Sequence, residues 1–232
     1  MGNSICNNKG RENLQIKYLG HSAFEIIVQE KKILIDPFLV LSPGYDCDGV
    51  TDIFVTHGHA DHLGSAIEIS KTNGAKITAV FELANYCASK GAEINGINLG
   101  GWIDYEWGRA LAVPAFHSSS TPDGNYAGCP CGYIFEIEGK IIYHAGDTCL
   151  NSEMKLIGEE YQPDVAILPI GGYYTMDIEQ AVKASEWLQA SEIIPMHYNT
   201  FDAIKVDIED FARQIRDKGK MPLILKIGEY TS

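Results

Sequence analysis

Four side chains able to bind a metal stand within the six positions 57–62, in the stretch Thr56-His57-Gly58-His59-Ala60-Asp61-His62-Leu63-Gly64. The chain holds only 7 His in 232 residues, so a His-x-His-x-Asp-His string arises by chance in roughly one such sequence in a few thousand. Imidazole and carboxylate donors suit Zn²⁺ and its first-row neighbours. One such residue alone would read as a helix cap or an incidental histidine. Together they read as the nucleus of a two-metal site.

The string sits between a strand-forming run, Asp52-Ile53-Phe54-Val55-Thr56, and a segment with helical spacing of Leu63, Ala66, Ile67 and Ile69, which puts it on a strand-to-helix loop. In an extended segment, residues two apart share a side. His57 and His59 are therefore expected to converge on one ion, while Asp61 and His62 turn toward a second.

Elsewhere strand ends deliver further donors. Leu111-Ala112-Val113-Pro114-Ala115-Phe116 predicts a strand presenting His117, and Glu192-Ile193-Ile194-Pro195-Met196 a short buried strand presenting His197. A Ser-, Pro- and Gly-rich segment, 118–131, predicts a long loop beside the site. Helices are predicted over Glu82–Lys90 and Asp207–Lys218, closed by Gly91 and Gly219, with Ile208, Phe211, Ala212 and Ile215 of the second turned inward. Asp177-Ile178-Glu179-Gln180 reads as a capping box opening another, with Ile178, Ala181, Val182, Ser185 and Leu188 on one face.

The order of elements repeats. The stretch 14–37 predicts strands joined by tight turns, and the stretch 132–144 echoes it. Phe24-Glu25-Ile26 matches Phe135-Glu136-Ile137, Lys32-Ile33-Leu34 matches Lys140-Ile141-Ile142, and Asp52-Ile53-Phe54-Val55 matches Asp164-Val165-Ala166-Ile167. Two similar halves follow, each a sheet covered by helices, facing each other across an apolar interior.

Composition bounds the rest. At 232 residues the chain fits one domain with a core large enough to fold without disulfides. Its net charge is -13, with 18 Lys+Arg against 31 Asp+Glu and no basic run, which disfavours nucleic acid as a partner. The 6 Cys are scattered and read as free thiols of a reducing cytosol. The first ten residues lack the apolar core of a signal peptide, and no run reaches the length of a membrane span, so a cytoplasmic protein without membrane association is expected. Gly2 suggests myristoylation, but Cys6 stands where that pattern wants Ser or Thr. Residues 1–12 read as a flexible polar tail and 13–232 as a single domain, and a homo-oligomer is compatible with this composition.

The series His57-x-His59-x-Asp61-His62, His117, Asp147 in Ala145-Gly146-Asp147-Thr148, and His197 resembles the ligand series of the metallo-β-lactamase superfamily. More narrowly, Gly20-His21-Ser22-Ala23-Phe24, Leu168-Pro169-Ile170-Gly171-Gly172 and Pro195-Met196-His197-Tyr198-Asn199-Thr200-Phe201 resemble metal-dependent hydrolases related to L-ascorbate-6-phosphate lactonase. The resemblance implies an α/β chain (α+β in some schemes) folded as a four-layer αβ/βα sandwich. It implies one metal on His57, His59 and His117, a second on Asp61, His62 and His197, and Asp147 bridging both. The ions implied are two divalent cations, Zn²⁺ first, with Mn²⁺, Fe²⁺ and Ni²⁺ as alternatives. His59 stands where the oxygen- and nitric-oxide-reducing di-iron branch usually has Glu, which favours hydrolysis.

Two cations about 3.5 to 4 Å apart make hydroxide available near neutral pH and polarise a scissile carbonyl or phosphoryl group, so no Ser or Cys nucleophile is needed. Asp61 could serve as both ligand and proton acceptor. His21 could orient a ligand, contact substrate or be an ordinary surface histidine. His144 could hydrogen-bond to the site or simply be buried. Tyr173, Tyr174 and Met176 could wall a pocket, and Tyr198 and Asn199 could orient an oxyanion. Cys129-Pro130-Cys131 and Cys149 read as plain thiols. The expected activity is hydrolysis of a small ester, lactone or phosphoester. The alternatives are a metal-dependent nuclease or phosphodiesterase, and a non-catalytic metal-binding or sensing protein.

Overall fold

The computed structural model describes residues 14–231; the predicted tail, residues 1–12, lies outside them. The first half forms a six-stranded sheet in simple chain order: β1 (Gln15–Gly20), β2 (Ala23–Val28), β3 (Lys31–Ile35), β4 (Val50–Phe54), β5 (Lys76–Val80) and β6 (Ile94–Ile97). Between strands run α1 (Ala60–Leu63), α2 (Ala66–Asn73) and α3 (Phe81–Ser89). The second half begins with β7 (Trp102–Tyr105), β8 (Gly108–Pro114), β9 (Cys131–Ile137), β10 (Lys140–His144) and α4 (Glu153–Glu160). It continues through β11 (Val165–Pro169), α5 (Ile178–Leu188), β12 (Glu192–Met196), α6 (Ile208–Asp217) and β13 (Met221–Pro222), and its sheet runs β13-β12-β11-β10-β9-β8-β7.

The sheets face each other and the helices lie outside, α2 and α3 on the first sheet and α5 on the second. This is the expected four-layer sandwich. Residues on both faces of β11 are consequently buried, and it reads as a continuous apolar run, whereas β4 does so only at Ile53 and Phe54. Across the middle, Phe54 meets Tyr133 and Phe135 edge-on, with ring centroids 5.1 and 4.9 Å apart. The Tyr133 hydroxyl lies 3.0 Å from the Val55 carbonyl and 3.1 Å from that of Thr78, which ties the sheets through a polar contact inside the core.

The duplication holds in topology, since β2-β3 and β9-β10 are matching hairpins, each followed by a parallel strand. The residue equivalences do not. Val28 opposes Lys31 beside the first turn and Ile137 opposes Lys140 beside the second, so Ile26 corresponds to Phe135 and Ile33 to Ile142. Turn geometry, rather than the likeness of strand residues, sets hairpin register.

One helical prediction also shifts. The segment after the histidine string is two helices, broken at Gly64, whose φ is 44°. A Cβ there would stand 2.3 Å from the Pro37 carbonyl oxygen, so only glycine lets the chain pass so close. The capping box of α5 is present as predicted, with the Asp177 carboxylate accepting from the Gln180 N–H. No described helix is long and apolar enough to cross a membrane.

Candidate metal centre

Every predicted donor lies at one end of the sandwich, where β1, β4, β8, β10 and β12 run out. Strand β4 stops at Phe54 and the chain bends through 56–59 before α1, so His57 and His59 are not on an extended segment. They meet all the same, His57 Nε2 lying 3.0 Å from His59 Nδ1. His117 follows β8, its ring centroid 5.2 Å from both. The short helix α1 places Asp61 and His62 on the other side, with His197 directly after β12.

Asp147 stands between the groups. Its Oδ2 is 3.1 Å from His197 Nε2 and 3.6 Å from His117 Nε2, and its Oδ1 is 3.3 Å from His62 Nε2. Two clusters able to hold an ion result: His57, His59 and His117 in one, and His21, Asp61, His62 and His197 in the other. His57, His62 and Asp147 link them.

Hydrogen bonding explains how the rings are aimed. The His62 Nδ1–H donates to buried Asp36 Oδ2 over 2.7 Å, and the Thr56 hydroxyl donates to the same oxygen over 2.7 Å. The Thr56 N–H donates to Asp36 Oδ1 over 2.8 Å, and His57 Nδ1–H donates to the Thr56 hydroxyl over 3.0 Å. Both rings therefore aim Nε2 into the cluster, where a metal ion would take the place of a proton. His62 Nε2 and Asp147 Oδ1 are buried and have no hydrogen-bond partner among the described residues. Buried polar atoms seldom remain unpaired, and a ring nitrogen and a carboxylate oxygen aimed at one space fit a cation between them. The donor set, nitrogen and carboxylate oxygen, suits a first-row divalent metal.

The charges of the metal-free cluster oppose one another. Burial disfavours the charged form of His62, yet Asp147 and Asp36 beside it hold its pKa well above the ordinary histidine value. Burial would raise Asp147, but His62 and His197 hold its carboxyl well below the usual carboxylate range. Burial, seconded by the neighbouring His62, pushes His57 well down, and burial also lowers His59 and His117.

The remaining predicted residues separate. His21 is fully buried, which removes the surface reading. Its Nε2–H donates to Asp61 Oδ2 over 3.1 Å, its Nδ1 accepts from the Thr200 hydroxyl over 2.7 Å, and its carbonyl accepts from the His197 N–H over 2.9 Å. His144 is also buried. It accepts from the Gly146 N–H at Nδ1 over 3.2 Å and donates from Nε2 to the Ser22 carbonyl over 3.2 Å, fixing the turn that carries Asp147.

Tyr173 is 82 % exposed and does not line the cleft over the cluster; Tyr174 and Phe201 do, and Met176 is buried beneath. Asn199 is spent on the backbone of Val206, accepting from its N–H over 2.8 Å and donating to its carbonyl over 3.2 Å. Tyr198 packs against the core. Neither Asn199 nor Tyr198 reaches the cleft, so the oxyanion role does not fit them.

Asp36, Thr56 and Thr200 escaped the sequence reading. Pairing β3 with β4, with Ile35 opposite Phe54, would have set Asp36 beside the loop of the histidine string. That carboxylate, ending the apolar run Ile33-Leu34-Ile35, was the available signal.

Comparison with known proteins agrees with this geometry. A model of the β-lactamase superfamily domain matches residues 15–197, from the first strand to the last histidine of the cluster. A UPF0173 metal-dependent hydrolase of Thermus thermophilus is 46% identical over 221 residues, 93% of this chain and 97% of that protein. One from Staphylothermus marinus is 47% identical over 226 residues, 92% of this chain and 96% of its own. The solved structure of Igni18, a metallo hydrolase from Ignicoccus hospitalis, superposes with a TM-score of 0.85 at 38% identity, covering 94% of this chain and 97% of that one. With the family's match running unbroken through the histidine and aspartate cluster, this chain belongs to the metallo-β-lactamase superfamily and is a metal-dependent hydrolase.

Proposed function

We propose that the enzyme hydrolyses a small ester, lactone or phosphoester at a dinuclear centre. His57, His59 and His117 would hold one ion and Asp61, His62 and His197 the other, with Asp147 standing between the two groups. The observation that carries this reading is the pair of unpartnered buried atoms, His62 Nε2 and Asp147 Oδ1, facing each other between two donor clusters. Zn²⁺ suits the donors best, and Mn²⁺, Fe²⁺ and Ni²⁺ are acceptable to the same set. When bound, such ions polarise the scissile group and make hydroxide available near neutral pH.

The chain's own groups do the rest. Asp61 and Asp147 both line the cleft, but the Asp61 side chain is 29% exposed and that of Asp147, set among histidines, only 3%. Asp61 is therefore the proton acceptor. Burial works against its charge, but the hydrogen bond from His21 and the neighbouring His62 keep its carboxyl far below the usual range, so it is ionised at neutral pH. The oxygen of water joins the acyl carbon or phosphorus, the bond to the leaving oxygen breaks, and the proton taken by Asp61 passes to that oxygen.

Metal analysis of the purified protein tests the first part, with about two equivalents per chain expected. A panel of chromogenic phosphodiester, lactone, thioester and β-lactam substrates tests the second. Asp61→Ala and His117→Ala are each expected to lower kcat by about 100-fold or more. Less than one equivalent of tightly held metal, with no turnover after reconstitution with Zn²⁺ or Mn²⁺, overturns the proposal. Turnover that survives either substitution overturns the site assignment.

A further inference from the structure

The cleft above the cluster holds about 310 Å³, room for a small molecule. Apart from the proposed metal ligands its lining is Ser118, Tyr174 and Phe201. Both aromatic rings are braced from behind, Phe201 by the buried ring of His21 at 5.2 Å and Tyr174 by Tyr173 at 4.7 Å. They remain open on the other side, 44% and 55% exposed.

The composition of the surrounding loops is one-sided. The segments at the strand ends, 20–22, 56–65, 115–130, 145–154, 170–182 and 197–204, contain no Lys or Arg and seven carboxylates. Among the described residues the flanking cations are already paired, two of them with carboxylates of these same segments. Lys155 and Lys183 lie over the Trp187 ring at 4.4 and 5.8 Å, Lys205 pairs with Asp202 at 2.7 Å, and Lys90 with Asp123 at 3.4 Å. The histidine and aspartate cluster serves the reacting group. A second negative group lying out on the Tyr174 and Phe201 wall would lose water and meet no Lys or Arg among the residues that line the cleft, which costs free energy. An uncharged flat group would instead bury its surface on the two rings.

Building on the hydrolase reading above, we propose that the non-reacting part of the substrate is uncharged and apolar or aromatic, held by Phe201 and Tyr174, and that phosphorylated or otherwise remotely anionic molecules are poor substrates. The preferred class is a neutral ester or lactone, with the phosphoester branch of the reading set aside.

Metal-loaded protein can be compared on phenyl acetate and 4-acetoxybenzenesulfonate, which share a scissile ester and differ by one remote charge on a group that is a poor metal ligand. With each kcat/KM divided by that ester's own hydroxide-catalysed rate, the neutral ester is expected to lead by about tenfold or more. Ser118→Lys is expected to narrow that ratio, and Phe201→Ala to raise KM for phenyl acetate by more than it does for methyl acetate. A ratio near one, or in favour of the sulfonate, overturns the inference while leaving the hydrolase reading intact. Turnover of no ester at all counts against the hydrolase reading, and binding then decides the inference. In calorimetric titrations acetanilide is expected to bind about tenfold more tightly than 4-acetamidobenzenesulfonate, and equal or reversed affinities overturn it.

Discussion

Asp36 shows how much of a metal centre lies behind its ligands. It is fully buried at a φ of 46°, and its oxygens take hydrogen bonds from His62 Nδ1, the Thr56 hydroxyl and the Thr56 N–H. That arrangement fixes which nitrogen of His62 faces the cluster. Asparagine tolerates the same backbone conformation and keeps the shape, but it lacks the charge that holds the ring. Asp36→Asn is expected to weaken metal binding by about 10- to 100-fold, read by competition with a chromogenic chelator, with little change in far-UV circular dichroism. The side chains that meet in the cluster were legible because their chemistry is written in residue type and spacing. Asp36 was not, because one carboxylate after an apolar strand acquires meaning only when β3 and β4 are paired. Tyr173 and Tyr174 illustrate the same limit, since adjacent identical residues differ only in the direction the loop turns them, one to solvent and one to the cleft.

Among the elements, the break between α1 and α2 positions Asp61 and His62. Periodicity suggested one helical segment because Leu63, Ala66 and Ile69 do share an apolar side and are buried. The interruption comes from outside the helix, where the Pro37 carbonyl, 2.3 Å from where a Cβ of residue 64 would stand, fills the space a side chain needs. Gly64→Ala is expected to cost about 2–4 kcal/mol through combined backbone strain and steric overlap. Gly74→Ala, at a φ of 71° but with open space around it, should cost only about 1–2 kcal/mol. Urea unfolding of the two variants separates these contributions. Hairpin registers were misread for a related reason. Strand sequences such as Phe-Glu-Ile are interchangeable on a half-buried surface, whereas the turn residues Gln29 and Glu138, at φ 55° and 52°, are what set the pairing.

At the scale of the whole molecule, the fold gathers histidines in a space that does not favour their protonation. Burial lowers the pKa of His21, His57, His59, His117 and His144. For each, the unfolded chain takes up a proton near pH 6.5 while the folded chain does not. Their stabilising contribution is full above that value and shrinks as the pH falls through it. His62 runs the other way: its pKa is raised, so its contribution is present below about pH 6.5 and lost as the pH rises through its folded value. Five groups oppose one, and Asp61 and Asp147 stay ionised throughout this range. The metal-free protein is therefore expected to lose stability between about pH 7 and pH 5, seen as a falling midpoint in urea, and reconstitution with Zn²⁺ should raise Tm at pH 7.

The halves are also joined outside the cleft. Gly228 to Thr231, which follow the second sheet, run along β1 of the first: the Gly228 N–H donates to the Tyr18 carbonyl over 2.7 Å, the Tyr18 N–H to the Glu229 carbonyl over 3.1 Å, and the Thr231 N–H to the Ile16 carbonyl over 2.8 Å. The Tyr18 hydroxyl in turn donates to the carbonyl of His21 over 3.3 Å. Residues 228–231 thus act as a latch along a strand edge that is otherwise unpaired among the described residues. A protease that trims it would bare a sticky β edge, of the kind that recruits other chains, and slacken the strand on which His21 is mounted. Damage to residues 228–231 would then reach the candidate metal centre without touching any of the side chains that form it.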